Sequence, residues 1–295
     1  MLTRAAPVLF VLIWSSGFIT ARVAVPHAAP QLILLLRMAL TAMLMGGAAW
    51  FAREHWPRGR RLGLHLLAGG LLNGVYLCAS WWSVQHGMPA GVMALLGALQ
   101  PLVVAVGSFL FLRERLPARA WSGLGIGLAG VVLVLAPLLD AGLSRTVPAH
   151  VVAMAAGAIV AMAAGTMIQS GSLAQDGIWV SSAVQNLGGT LVAALATVAQ
   201  GDLRWDNAPA LWLSLLWSVL MLSAAALSLL VWMTRHQGAT RVSVLLLLVP
   251  PLAAIEARFL FGEHLSAVQL LGFALALGGV LLARARRASP TPEPA

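Results

Sequence analysis

AGVMALLGALQPLVVAVGSFLFLRERLPARAWSGLGIGLAGVVL, residues 90–133, decides the reading of this chain, because its landmarks return once. Pro101, Glu114, Leu116, Gly123 and Gly130 reappear as Pro250, Glu263, Leu265, Gly272 and Gly279, all at one offset of 149 residues. Five matches in a single register mark an internal duplication. Each copy reads as an apolar helix broken near its middle by proline, a tight acidic corner, and a second apolar helix with glycines along one side.

The solvent for most of this chain is lipid. Of 295 residues 60% are hydrophobic and 9% charged, with a mean hydropathy of +0.90, whereas a soluble domain carries roughly 25% charged residues. Runs of about 20 apolar residues recur, each long enough as helix to cross a hydrocarbon layer of about 30 Å. They are apolar on every side, which argues against a membrane barrel and for an all-α polytopic protein. Ten spans are expected, near residues 5–24, 31–52, 62–86, 90–112, 118–138, 149–169, 178–199, 210–234, 240–261 and 266–285. They divide into repeat 1 (1–139) and repeat 2 (140–285), with 286–295 as a short unfolded tail rich in proline. Met1 to Val25 lacks the small-residue cleavage site of a secretory signal and is expected to be a retained first span.

All eighteen cations are arginine, and most lie in short connections. A cytoplasmic N-terminus puts thirteen of them on the inner side, so both termini are expected inside. The connection from Ser170 to Gly177 carries none. Five spans per repeat is an odd number, so repeat 2 enters the membrane inverted. The Glu114 corner then faces inward and the Glu263 corner outward. Inverted repeats are a recurrent architecture of secondary transporters, in which two pseudo-equivalent halves open a midplane site to either side in turn.

Trp14-Ser15-Ser16-Gly17-Phe18 in the first helix, Arg37 early in the second, and the two proline, Arg/Gly-Glu-x-Leu and glycine blocks resemble the EamA-type transporters of the drug/metabolite transporter superfamily. The resemblance covers nearly the whole chain. It implies ten helices, a central cavity between the halves, residence in a bacterial inner membrane, and export of amino acids or related metabolites, aromatic amino acids among them. A multidrug or other-metabolite carrier of the same fold is the alternative.

Pro101 and Pro250 fall about 11 residues into their helices, near the midplane, and each bares a carbonyl about four residues earlier, near Gly97 and Leu246. Bare carbonyls at that depth are tolerated only against protein or a wet cavity, which makes the fourth and ninth helices, with Gln100 beside the first break, candidate cavity walls. Arg37 and Glu256 are the costly charges, at a shared depth roughly 8–10 Å below the outer surface. They could pair with each other, or Glu256 with Arg22 or Arg258. Glu256 is the candidate for proton coupling and Arg37 for a substrate carboxylate. A purely structural role stands beside each.

Asn73, Tyr76 and Ser80 share one face of the third helix, and Ser214, Ser218, Met221, Ala225, Ser228 and Trp232 one stripe of the eighth. Trp14, Ser15 and Phe18 from the first helix and Thr166 and Gln169 from the sixth complete a sparsely hydrogen-bonding, aromatic cavity suited to an amphiphilic small molecule. Packing between helices is the plainer role for each alone. Trp50, Trp56, Trp121, Trp179, Trp205 and Trp212 read as interfacial anchors.

Several functions are argued against. The chain has no continuous basic face for nucleic acid, and its one cysteine, Cys78, lies in an apolar run. Its seven histidines are scattered without HExxH or P-loop spacing, so no metal, cofactor or ATP site is expected. An intramembrane enzyme or a passive channel is the rival class. No dense cationic pocket at the midplane favours phosphate-rich cargo. The partners expected are a small-molecule substrate, the lipid bilayer and protons.

Overall fold

A computed structural model describes residues 2–112, 118–139, 147–170, 172–237, 245–246, 248–262 and 265–284. Among them the chain forms ten main helices and one 3-10 turn at Ser172–Gln175, and β-structure is limited to one isolated bridge between Ala28 and Trp205. They are α1 (Leu2–Ala24), α2 (Pro30–Phe51), α3 (Arg60–Gln85), α4 (Ala90–Ala98 and Gln100–Leu112), α5 (Ala118–Leu139), α6 (Ala149–Ser170), α7 (Ile178–Gln200), α8 (60–85's counterpart, running from Pro209 to Gln237), α9 (Val249–Phe261) and α10 (Ala267–Arg284). The first eight contain stretches long and apolar enough to cross a membrane, and α10 is a shorter apolar helix. Long runs of leucine, valine and alanine give these lengths. The tail, 286–295, and both acidic corners, Glu114 and Glu263, lie outside the described residues.

The duplication is legible bond by bond. In α4 the helix bends at Leu99 (φ −81°, ψ −8°), whose amide reaches back only three residues, to the Leu96 carbonyl. In repeat 2 Leu248 (φ −81°, ψ −17°) does the same to Leu245. Val103 then donates to Leu99, and Leu252 to Leu248. Pro101 and Pro250 cause both bends, since neither offers an N–H to the carbonyl four residues earlier. Likewise α3 carries a π-helical segment at Gly70–Val75 and α8 one at Ser218–Ala225, again one repeat apart.

The two halves run in opposite senses. Along the α5–α10 seam, Gly123 and Gly127 meet Gly279, Gly130 meets Gly272 and Ala276, and Val134 accepts from Gln269. Residue numbers rise on one helix as they fall on the other, so α5 and α10 start at opposite ends of the bundle. The connections agree. At one end the Ala29 amide donates to the Arg204 carbonyl, joining α1–α2 to α7–α8. At the other, Glu54 accepts from the Val180 amide and Arg61 donates to Asp176, joining α2–α3 to α6–α7. Contacts obey the same pseudo-twofold relation: α2 pairs with α7, α4 with α9 and α5 with α10, while α1 packs on α8 and α9 as α6 packs on α3 and α4.

Glycine sets the closest approaches. A Cβ on Gly130 would stand 2.4 Å from the Ala276 nitrogen and 2.5 Å from the Gly272 oxygen. Gly130→Val therefore forces the α5 and α10 backbones apart, with an expected loss of about 1–3 kcal/mol. Gly125→Val on the same helix meets nothing within 4 Å and should leave stability unchanged. Thermal unfolding of both variants in detergent checks this pair.

Candidate functional site

The costly charge on α9 finds a partner on α1. Ser15, fully buried, donates to Glu256 Oε1 at 2.7 Å, and Glu256 Oε2 is buried with no hydrogen-bond partner among the described residues. Of the partners expected for this carboxylate, Arg37, Arg22 and Arg258, none makes an ion pair with it among the described residues. α1 lies along α9, which brings the Ser15 hydroxyl to the carboxylate. One turn below Glu256 the same face of α9 enters an aromatic cluster, where Leu252 and Val249 pack with Trp14, Trp232 and Phe10. Phe10 and Trp14 are 5.2 Å apart, tilted.

Arg37 has Tyr76 of α3 as its electrostatic neighbour, where α2 packs on the second half of α3. The Tyr76 hydroxyl lies against the α4 break, 3.4 Å from where a Cβ on Gly97 would stand. Gly97 is the residue whose carbonyl Pro101 leaves without its helical donor. Both Arg37 and Tyr76 are half-buried. Just beyond the break, the Gln100 amide donates to Thr166 Oγ1, which itself donates to the Met162 carbonyl at 2.8 Å. Thus α4 is tied to α6 beside its bend, as α9 is tied to α1.

The expected site residues divide between these groups. Phe18 and Tyr76 pack against the cluster built on α4 and α6, whereas Trp14 and Trp232 belong to the α1–α8–α9 cluster. Asn73 packs on α7, its Cβ close to Gly189. Ser80 is fully buried and its hydroxyl has no partner among the described residues. Gln169 is exposed in the last turn of α6, and Thr166, one turn earlier, makes the polar contact with α4. The stripe on α8 is broken: the π segment shifts the register, so Ser214 and Ser218 are buried while Ser228 is exposed. A groove of about 250 Å³ opens between α9 and α10 on the face holding Pro251, Ala254 and Ile255, away from Glu256.

Two polar clasps at the bundle ends were not among the expected site residues. At one, fully buried His65 places Nε2 2.8 Å from Asp176 Oδ2, with Arg61 on the other carboxylate oxygen and Gln185 at Nδ1. The connection that lacks arginine is thus neutralised by an arginine from α3. Glu54 caps the neighbouring α7 N-terminus through the Trp179 and Val180 amides, where a carboxylate also meets the positive end of the helix dipole. At the opposite end His27 Nδ1 lies 3.0 Å from Asp206 Oδ2. That hydrogen bond holds the exposed Asp206 carboxyl below its usual value of 3.8. A polar residue inside an apolar run, Gln185, and an acid in an arginine-free connection, Asp176, were the available sequence signals.

Asp176→Ala strands a fully buried imidazole and should cost about 1–3 kcal/mol, whereas Asp206→Ala, which breaks a solvent-exposed pair, should leave Tm nearly unchanged at neutral pH. Thermal unfolding at neutral pH compares them. Because the Asp206 value is depressed, its contribution is present above 3.8 and fades as pH falls through the depressed value. Asp206→Asn should therefore flatten the loss of Tm measured on the acid side of pH 4.

Comparison with known proteins follows the same lines. The family model of the EamA-like transporter family matches twice, at residues 5–136 and 150–285. The chain is 26% identical over 288 residues to the uncharacterized transporter YvbV of Bacillus subtilis, covering 95% of this chain and 91% of that one. It is 30% identical over 134 residues to a probable amino-acid metabolite efflux pump of Salmonella typhimurium, covering 45% of this chain and 42% of the pump. Protein PecM of Dickeya dadantii is 28% identical over 157 residues, covering 52% and 50%. A solved crystal structure aligns over 95% of both chains with a TM-score of 0.62 at 20% identity, a likeness of fold. With the repeated helix breaks, the opposed halves and two family matches spanning both repeats, this multi-pass membrane protein belongs to the EamA-like transporter family.

Proposed function

We propose that this transporter is a secondary carrier that exports small amphiphilic metabolites, amino acids foremost and apolar or aromatic ones among them, across a bacterial inner membrane. Its two units, 1–139 and 140–285, would rock against each other around a site between them, with both termini cytoplasmic. The observation that carries this reading is the pairing of a proline break in α4 with an equivalent break in α9, each beside a polar bond to a helix of the other repeat or its counterpart. Broken helices at mid-depth bring backbone carbonyls and polar side chains to one level. The amino-acid efflux pump similar to half of this chain supports the substrate class.

Trp14, Phe18 and Trp232 would offer aromatic walls, with Asn73, Gln100 and Gln169 as adaptable polar groups. Ser15 and Glu256 would hold the coupling proton. A carboxylate buried in lipid with one unpartnered oxygen is costly when ionised; protonation removes the charge and lets that oxygen donate. Binding of a proton on one side and its release on the other would then drive export.

Proteoliposomes loaded with the purified protein test this with a panel of labelled amino acids and lipophilic drug cations at several pH gradients. Saturable uptake of an apolar amino acid, accelerated by unlabelled solute on the far side and by an opposing proton gradient, is expected. Glu256→Gln should abolish the gradient effect while exchange persists. Transport of the drug cations alone would favour the multidrug alternative, and non-saturable flux a channel. In a Cys78→Ala background, Glu114→Cys and Glu263→Cys should react with impermeant maleimide from opposite faces of whole cells, with position 114 reached only after permeabilisation.

A further inference from the structure

We infer that Arg37 and Thr41 on α2, with Tyr76 and Ser80 on α3, form an anion subsite that takes the carboxylate of the carried solute. The inference rests on the carrier reading above and names which chemical group of the solute this side of the protein recognises.

The first ground is the behaviour of the hydroxyls. In an apolar helix a serine or threonine hydroxyl normally donates to the carbonyl one turn back. Thr20, Ser83, Thr166, Thr190, Thr197 and Ser228 all do so here. Thr41 and Ser80 do not. Both are 0% exposed, yet neither hydroxyl has a hydrogen-bond partner among the described residues; Ser181, which shares that property, sits half-buried in the first turn of α7. Burying such a group unpaired is destabilising, and that penalty is removed when a ligand oxygen accepts from it.

Position is the second ground. Thr41 follows Arg37 by four residues and Ser80 follows Tyr76 by four, so each orphan hydroxyl shares a helix face with one member of the Arg37–Tyr76 neighbourhood. The π segment Gly70–Val75 ends immediately before Tyr76, whose amide donates five residues back, to the Leu71 carbonyl. That extra residue per turn sets the direction in which Tyr76 and Ser80 project. The phenol is carried to the α4 break beside Gly97.

The third ground is charge. Arg37 makes no ion pair among the described residues, and a guanidinium within a span requires an anion, water or dipoles. Its planar fork is donor-only, and the two hydroxyls and the phenol can each turn an O–H toward a planar two-oxygen acceptor. Glu256, the acid of α9, is bonded to Ser15 on α1 and does not occupy this site. A solute with a carboxylate at one end and an apolar body satisfies all four donors.

Competition for uptake in proteoliposomes tests this, using labelled phenylalanine against unlabelled phenylalanine, its amide and phenethylamine. Wild-type protein should prefer the free acid over both carboxylate-free analogues by about tenfold or more. Ser80→Ala and Thr41→Val, which preserve size and apolar packing, should each raise KM about threefold to tenfold with kcat retained. Arg37→Gln should erase the acid-over-amide preference and Arg37→Lys should restore part of it. A packing role alone would lower capacity in all variants and leave that preference intact, which overturns the inference. Quenching of tryptophan fluorescence in detergent by phenylpropionate and by its amide separates the two proposals. Binding of the acid that is lost in Arg37→Gln sustains the subsite even where phenylalanine is not carried, and equal binding of acid and amide overturns it.

Discussion

Lipid offers nothing to accept or donate a hydrogen bond, and that single constraint governs this architecture. A chain that crosses lipid must keep its backbone in helix, so each departure from helix has to be covered by protein or by water. Four departures occur among the described spans: the bends at Leu99 and Leu248 and the π segments of α3 and α8. They fall in two pairs related by the repeat. A random accumulation of helix defects would not respect that offset. The breaks therefore follow the repeat, and they lie on helices that pack across it, α4 on α9 and α3 on α7.

The same constraint explains how charge is distributed. Cations and acids at the ends are clasped across the repeats, Asp176 by Arg61 and His65, Asp206 by His27. Each clasp ties a connection flanking α2 to one flanking α7, at either end of that antiparallel pair. Inside the spans the arrangement differs. Among the described residues Glu256 is bonded to a serine, and Arg37 has a tyrosine as its electrostatic neighbour. Charges at the ends are neutralised in ion pairs, whereas those inside the spans are met among the described residues by neutral hydroxyls.

The two seams that the pseudo-twofold axis relates are not equal. On α3, Gly69, Gly70 and Gly74 let the backbone press against α7, and a Cβ on Gly69 would lie 2.0 Å from the Gln185 carbonyl oxygen. The equivalent positions on α8 are Ser218, Val219 and Ser223, facing α2 across side chains instead. Backbone contact between glycines is short-ranged and unforgiving, whereas side chains can repack. One half of the molecule is thus more tightly stitched than the other, despite a common origin.

Sequence alone determined the class of the molecule. Hydropathy and run length gave the helices, because lipid selects for length and apolarity, and the fixed offset from Pro101 to Pro250 gave the duplication. The odd number of spans gave the inversion, since each crossing reverses direction. What only tertiary structure decided was partnership. Arg37 and Glu256 share a depth in the linear reading, but depth is one coordinate of three, and helix packing sent one to Tyr76 and the other to Ser15. The stripe along α8 assumed 3.6 residues per turn, and the π segment changed that period in its middle. Asp176, His65 and Gln185 come from three separate stretches of chain, and Thr41 and Ser80 look like ordinary helical hydroxyls until their missing bonds are seen. Such contacts join residues distant in sequence, and periodicity carries no record of them.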